Sequence, residues 1–598
     1  MTGAIPVDRL HRAILHGAAR TRERRDELNR INVFPVVDND TGTNLAHTMQ
    51  AILRADAPRD TIRSMLRGVA RSALVGARGN SGAIFSQYFH GLSAVDADKG
   101  SLTLDELAAA FRSAYEKAYR ALEKPVEGTV LTVMRAWAVG VQDGLAKHRT
   151  PHEAFDHALG RLKEALEETR TSMRAMREAG VVDAGALGFY HFMEGFVHAL
   201  LGHADAAAPE AVESTDAPAA ALPAAGHASA EDAAIAFRYC TEVLLASDGG
   251  AIDEEALRAD LQDLGDCLLV SGADDLARVH VHTDRPWEAV RRASRRGRIL
   301  EQKADDMVWQ HRLAGPPEDA VAVVTDSVAD LPRDFVHAHG IFQVPIHILS
   351  GDADFLDKVT MDPVLLAEHL GTASTAQPNA AAIRAVLEPL LAHFREVLVL
   401  TVSSKMSGTH TRFREALDAM GIPATRARLV DTRVNSGAQG LLVREAVRLV
   451  ENGATLAEAA DAIEALRERT RIVVSVRDIG PMARSGRVNA RIGALLVKLR
   501  FQPLITIDRE GEGSIQGVAF SPRRNRRLLL RSLKGRRVES WCVVHAGAPD
   551  DAEALRRELA PRLGAEPAFV TEISSVVTLF AGAGSVAVAY VEQARTRA

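Results

Sequence analysis

The chain has little cysteine, few aromatic residues and no surplus of charge. Only Cys240, Cys267 and Cys542 occur in 598 residues, with no close pairing. That excludes a disulfide framework, fits a reducing compartment and makes the cytoplasm the expected location. A net charge of −6 gives no basis for wholesale nucleic-acid binding. The opening MTGAIPVDRLHRAILHG lacks the basic start and unbroken apolar core of a signal peptide. One long stretch, Ile573 to Val591, carries no charge, but Ser574, Ser575, Thr578, Gly582, Gly584 and Ser585 interrupt it. Two buried strands around a glycine turn are expected there, not a membrane span. No G-x-x-x-x-G-K-[ST] occurs, which excludes a P-loop enzyme.

What is present is globular: 47% hydrophobic and 25% charged residues, in a chain long enough for roughly three or four domains. Residues 8–200 read as helices, with apolar positions recurring at three and four, as in Leu104, Leu107, Phe111, Tyr115 and Tyr119. Residues 203–232 turn to Ala, Pro, Glu, Asp and Gly and read as a linker with little to bury. Residues 235–310 mix strands (YCTEVLL, CLLVSG, RVHVHT) with a helix at PWEAVRRASRRG. A second joint falls at Gly315-Pro316-Pro317. From 319 to 598 strand and helix patterns alternate, which predicts an α/β fold with a largely parallel sheet.

The N-terminal part carries VVDNDTGTN, from Val36 to Asn44, directly before a helical pattern. Asp38 and Asp40 supply the carboxylate oxygens that a hard cation such as Mg²⁺ takes, and Thr41, Thr43 and the helix-start N–H groups can face phosphates. Taken alone, the same residues also read as an ordinary helix cap. ARGNSGA adds Asn80, Ser81 and Gly82 before another helix, a suitable anion cradle. KPVEGTVLTV (Lys124 to Val133) and AGVVDAGALGF (Ala179 to Phe189) repeat the glycine-before-helix pattern.

In the middle part, period-two alternation puts His280 and His282 on one strand face, and Cys240 and Glu242 on one face of another. These are four ligands of the types Zn²⁺ accepts; a buried cysteine beside hydrogen-bonded histidines is the alternative. In the C-terminal part Asp326-Ser327 follows an apolar strand, and Ser407-Gly408-Thr409 follows EVLVLTV and opens a helix. Hydroxyls and helix-start N–H groups there can hold a carboxylate, or simply cap helices.

The four N-terminal segments, in this order, resemble the DhaL-type domain of dihydroxyacetone kinases, in the version found in bacterial fatty acid kinases. The resemblance covers about residues 5–200. It implies an all-α helical barrel using ATP and Mg²⁺, with Asp38 and Asp40 as metal ligands and catalytic residues. Thr41, Thr43, Asn44, Asn80, Ser81, Gly82, Thr129 and Asp183 fall at phosphate-contacting positions. Asn32 stands where dihydroxyacetone kinases carry a further Asp, and Asn39 stands where glycine is usual. Residues 233–313 are similar to the fatty acid kinase middle domain, a small α+β unit with a comparable Cys and His pair. VTDSVADLP, STAQPN, SSKMSGTHT, VDTRVNSGAQG and ARSGRVNARIG resemble the DegV family over 319–598. That likeness implies a two-lobed α/β domain that buries a fatty acid. Thr375 and Ser407 become headgroup hydroxyls, Arg487 lies near them, and Asp326, Ser327, Gly408 and Thr409 line the binding loops. Two positions depart from the family: Ala376 replaces a serine, and Phe580 stands where a histidine is usual. His347, His410 and His545 are the candidates to compensate. The basic run PRRNRRLLLRSLKGRR (Pro522 to Arg537) reads as a solvated face or as a surface that docks the kinase domain or steers ATP.

The reading that follows is a multidomain protein: residues 1–202 a kinase domain, 203–232 a linker, 233–313 the middle domain and 319–598 the fatty-acid-binding domain. The expected function is ATP-dependent phosphorylation of a fatty acid to an acyl phosphate. The expected partners are the fatty acid, a downstream acyltransferase and a second copy in a homodimer, with transient membrane-surface contact and no nucleic acid. Two alternatives remain at this level. One is a kinase for a small hydroxyl substrate resembling dihydroxyacetone, regulated by a C-terminal lipid sensor. The other is a non-catalytic lipid-binding carrier.

Overall fold

The computed structural model describes residues 4–33, 40–95, 98–122, 125–148, 150–202, 235–351, 353–478, 480, 482 and 501–594. Asp38, Asn39, Lys124, Arg487 and the 203–232 linker lie outside them. The chain divides into two compact units, residues 1–315 and 316–598.

The first unit opens with helices whose apolar stripes face one common core. Val7–Glu23, Thr41–Leu53, Ile62–Gly76, Gly79–Ser93, Leu104–Ala121, Val130–Lys147, Pro151–Ser172 and Ala184–Leu201 each pack on the next, and the last packs on the first. The ring closes where Gly17 and Gly195 let two backbones meet: a Cβ on Gly17 would sit 2.7 Å from the Phe192 carbonyl oxygen. Phe111 meets Trp137 and Phe196 edge to face in the interior, Phe192 stacks on Phe196, and Leu107 lies beside them. Leu104, Tyr115 and Tyr119 are only partly buried against that core. Thr61, Thr103 and Thr150 start their helices with reciprocal capping boxes.

A four-stranded antiparallel sheet follows, in the order Gly265–Ala273, Leu276–Thr283, Tyr239–Ala246, Arg298–Asp306. Helices Glu254–Leu261 and Pro286–Ala293 accompany it. The sheet packs on the helical ring through Leu74, which joins Ala246, Ala273 and Leu276.

The second unit contains a parallel four-stranded sheet ordered Ala427–Asp431, Phe394–Thr401, Glu318–Asp326, Phe342–Val344. Its central strands read as near-continuous apolar runs because both faces are covered. The expectation of a largely parallel sheet fails beyond it. A six-stranded sheet runs Gly513–Ala519, Gln502–Ile507, Thr470–Ser475, Val586–Glu592, Val538–His545, Val570–Glu572, and only its last pair is parallel. The reading of Ile573 to Val591 as two strands is also corrected. Ser575–Ala581 is a helix capped by Ser574, and only Val586–Glu592 is a strand. Short apolar runs do not separate the two periods, and the Ser574 cap decided it. The basic run forms helix Pro522–Ser532, with Leu529 and Leu530 buried; Arg526 pairs with Glu558, and Arg536, just beyond the helix, pairs with Glu592. Among the described residues no helix is long and apolar enough to cross a membrane.

Asp326, Asp330 and Asp357 are buried in this unit, and two of them, Asp357 and Asp330, hold the start of helix Ser575–Ala581. Asp357 accepts from the Ser327 hydroxyl (2.6 Å) and the Ser575 N–H (2.8 Å). Asp330 accepts from the Ser574 N–H (2.8 Å) and the Ser436 hydroxyl and pairs with Lys358 at 3.1 Å. Burial pushes the carboxyls of Asp326 and Asp357 up to about 6 against the opposing pull of their hydrogen bonds. A folded-state value above the unfolded one means that the folded chain binds the proton more tightly. The stability from this source is therefore present below about pH 4 and is lost as pH rises through about 6. The stability gap between the wild type and Asp357→Asn should widen by roughly 1 kcal/mol between pH 8 and pH 5. Parallel urea titrations of the two proteins check this, and a gap that narrows on acidification contradicts it.

Candidate functional site

Helices joined by short connections run antiparallel, so every second helix of a ring starts at the same end. Thr41–Leu53, Gly79–Ser93, Val130–Lys147 and Ala184–Leu201 are those alternate helices. Their starts meet. The side chains of Asp183, Ser81 and Val130 all lie within 3.5 Å of where a Gly185 Cβ would sit, and Gly79, at φ +58°, is pressed against the Asn44 amide. Four helix N-termini thus bring unpaired N–H groups and partial positive charge to one place, a setting for a polyanion.

The side chains there divide by role. Thr41 donates to the Asn32 side-chain oxygen (3.0 Å), and Thr43 exchanges two 3.0 Å bonds with Asn29. Both threonines are therefore held by the preceding segment. Asp40 is the N-cap residue of its helix but makes no side-chain cap bond to it. Asn80 and Ser81 make no side-chain hydrogen bond among the described residues, which leaves them able to turn to a ligand. Asn44 is buried beneath Gly79, and Gly82 sits against the Thr48 hydroxyl. Thr129 donates to the Val126 carbonyl (2.7 Å). Asp183 accepts from the N–H groups of Ala186 (2.8 Å) and Val130, so it ties two helix starts together; burial pushes its carboxyl up to about 6.

Gly42 is required by packing. A Cβ there would overlap the Arg25 carbonyl and lie 2.7 Å from Asn29 Oδ1. Gly42→Ala should cost about 2 kcal/mol, because the obstacle is backbone, and should loosen Thr43 from Asn29. Thermal unfolding checks the cost, and a midpoint equal to wild type contradicts it.

The middle sheet reaches this end of the ring. Register places Cys240 opposite His282 and Glu242 opposite His280. Cys240, His280 and His282 bring their ligand atoms within 4.8 Å of one another. Glu242, expected as a fourth ligand, lies outside that cluster. It accepts from the Gly79 N–H and from Arg278 (3.3 Å), with His280 at 3.5 Å. The Cys240 thiol is pushed well up by burial, with the negative charges of Glu242, Asp305 and Asp40 adding to the effect. Arg278 also donates to the carbonyls of Leu74 (2.9 Å) and Val75 (2.7 Å), closing the end of helix Ile62–Gly76. Arg78 pairs with Glu301. Arg78 and Arg278 escaped sequence reading because Glu301 and Leu74, their partners, are far away in the chain, and Asn29 because its partner Thr43 sits in the next helix.

The second unit contains a cavity of about 820 Å³. Val328, Val402, Met406, Ile505, Val577 and Phe580 supply apolar walls, while Thr375, Gln377, Asn379, Lys405, Ser407 and Arg412 supply polar ones. Thr375, Ala376, Ser407 and Gly408 line it, and Gly408 lets Gln377 approach, since a Cβ would sit 2.5 Å from its side-chain oxygen. Thr409 stands behind Ser407, hydroxyl to hydroxyl at 2.8 Å, and is fully buried. Asp326 and Ser327 do not line the cavity. Asp326 accepts from the N–H groups of Val402 (2.7 Å) and Val328 (3.1 Å), and Ser327 from that of Ile346 (3.1 Å). Both hold wall residues in place from behind. His347, His410 and His545 are not among the lining residues, so none replaces the absent histidine at Phe580. His347 pairs with Asp354, His410 meets the Thr401 hydroxyl, and His545 accepts from the Ala548 N–H.

Three family models match parts of the chain. Residues 35–198 match a DAK2 domain, 236–314 a FakA-like middle domain of fatty acid kinase, and 320–593 the DegV family. The chain joins a DAK2 domain, a FakA-like middle domain and a DegV domain. An uncharacterized protein of Staphylococcus haemolyticus is 32% identical over 304 residues, 50% of this chain and 54% of that protein. One of Staphylococcus epidermidis is 30% identical over 380 residues, 60% of this chain and 66% of that protein. The chain thus spans about half to two thirds of the length of these relatives. A Thermus thermophilus structure described as fatty acid binding of a DegV family protein is 28% identical, with a TM-score of 0.43. The match covers 46% of this chain and 100% of that one.

Proposed function

We propose that this chain transfers the γ-phosphoryl group of ATP to the carboxylate of a fatty acid held in the DegV domain, forming an acyl phosphate and ADP. The observation that carries the reading is the cavity of about 820 Å³ with apolar walls and hydroxyls in its lining, in a chain whose DAK2 domain gathers four helix N-termini. A cavity of that size and lining suits one acyl chain. Thr375 and Ser407 orient its carboxylate, and Arg487, outside the described residues, is assigned to the transferring group. A fatty acid is ionised at pH 7, with a pKa of about 4 to 5, so no general base is required.

The helix-start N–H groups, Asn80 and Ser81 bind the nucleotide phosphates, and Thr41, Thr43, Asn44, Gly82 and Thr129 shape the cradle. Asp40, with Asp38 outside the described residues, presents carboxylate oxygen of the kind Mg²⁺ takes; when bound, that ion neutralises phosphate charge. Cys240, His280 and His282 make a donor set of one thiolate and two imidazoles that fits Zn²⁺, with Glu242 orienting His280. An acyl phosphate is a reactive mixed anhydride, so an acyltransferase is its natural consumer. A homodimer, a cytoplasmic location and transient contact with a membrane surface belong to the same reading.

The test is an incubation of purified chain with ATP, Mg²⁺ and the fatty acid that copurifies, with hydroxylamine trapping of acyl phosphate. Acyl hydroxamate formed in step with ADP supports the reading. ADP release that ignores the fatty acid and follows a small hydroxyl compound transfers the DegV domain to a sensor role.

A further inference from the structure

Adjacent strand residues point to opposite faces of a sheet. Asp266 and Cys267 do not. The pairing of strand Gly265–Ala273 with Leu276–Thr283 slips between Asp266 and Leu269, and Cys267 takes φ +52° in the interruption. A left-handed φ on a residue with a Cβ costs roughly 1 kcal/mol. The result is that Asp266, Cys267 and His282 bring a carboxylate oxygen, a thiol sulfur and a ring nitrogen within 4.8 Å of one another. The His282 ring nitrogen lies 3.3 Å from Asp266. Gly265 makes the approach possible, since any Cβ there would overlap the His282 carbonyl. Asp266 and Cys267 are exposed and His282 is buried, so the three form a shelf from solvent to the interior.

We propose that Asp266, Cys267 and His282 form a second, solvent-facing site for a thiophilic divalent cation such as Zn²⁺, and that this site loads the buried set through the His282 they share. The donors are the carboxylate, thiolate and imidazole that such an ion takes, with a fourth position left to water. Binding releases the Cys267 thiol proton to solvent. In the hand-over, the bonds to Asp266 and Cys267 break as those to Cys240 and His280 form. The Cys240 proton passes through water to the Cys267 thiolate that the ion leaves, and His282 stays attached throughout. Only the hand-over rests on the proposed Zn²⁺ reading of the buried set; the outer site stands on its own residues.

Cobalt(II) titrated into the full chain reports each thiolate by its sulfur-to-metal charge-transfer band. With Cys240→Ser and His280→Ala combined, one thiolate-bound cobalt should remain, and adding Cys267→Ser should remove it. Cys267→Ser alone should keep the buried set and slow its filling several-fold. In the wild type, Zn²⁺ should slow alkylation of Cys267 at least about 10-fold at early times, which needs no variant to fold. Overturning results are no charge transfer in the Cys240→Ser/His280→Ala protein together with alkylation of Cys267 indifferent to Zn²⁺. Cobalt bound through Cys267 but never through Cys240 sinks the buried reading and leaves the outer site standing.

Discussion

Asp40→Ala should lower the rate of acyl phosphate formation at least 100-fold while leaving the fold intact. Removing one electrostatic contact to a transferring group generally costs two to three orders of magnitude. Thr41 on Asn32 and Thr43 on Asn29 also hold the start of helix Thr41–Leu53, so the helix should stay formed in the variant. The stability cost should not exceed that of losing one N-cap residue, about 1 kcal/mol. Asp183→Ala makes the useful contrast. Its carboxylate is buried and holds the N–H groups of Ala186 and Val130. Leaving two buried donors unpaired should cost about 2 to 3 kcal/mol, so activity and stability fall together. Hydroxamate formation and urea unfolding on both variants separate the cases. Full activity in Asp40→Ala removes this residue from the mechanism.

Val577→Trp should abolish retention of long acyl chains and spare short ones. Val577 projects from helix Ser575–Ala581 into the cavity beside Val576 and Phe580. An indole takes the room of roughly four methylenes, each worth about 0.8 kcal/mol of burial. The expected loss is about 3 kcal/mol, or about 100-fold in affinity for a palmitate-length chain. An octanoate-length ligand, which needs less of the cavity, should lose less than about 10-fold. Calorimetric titration with the two ligands decides it. Equal losses for both lengths would place Val577 at the headgroup end, and no loss would place the acyl chain elsewhere.

Much of this protein was legible before any coordinates. Glycine and threonine before apolar periodic stretches marked the four helix starts, because those residue types satisfy N–H groups that a helix leaves unpaired. Period-two alternation put His280 and His282 on one face, since that rule depends on the strand alone. Three cysteines settled the absence of a disulfide framework. Only the tertiary structure decided which acids serve a cavity and which serve the frame. Asp326 ends an apolar strand just as a ligand-binding acid would, yet it faces the N–H groups of Val328 and Val402, more than seventy residues away in the second case. Glu242 shares a face with Cys240 but is drawn to Gly79 and Arg278, and Cys267 is re-aimed by a bulge that no period predicts. Local pattern sets which side a residue faces. What it meets there is set by partners that the chain brings from far along its length.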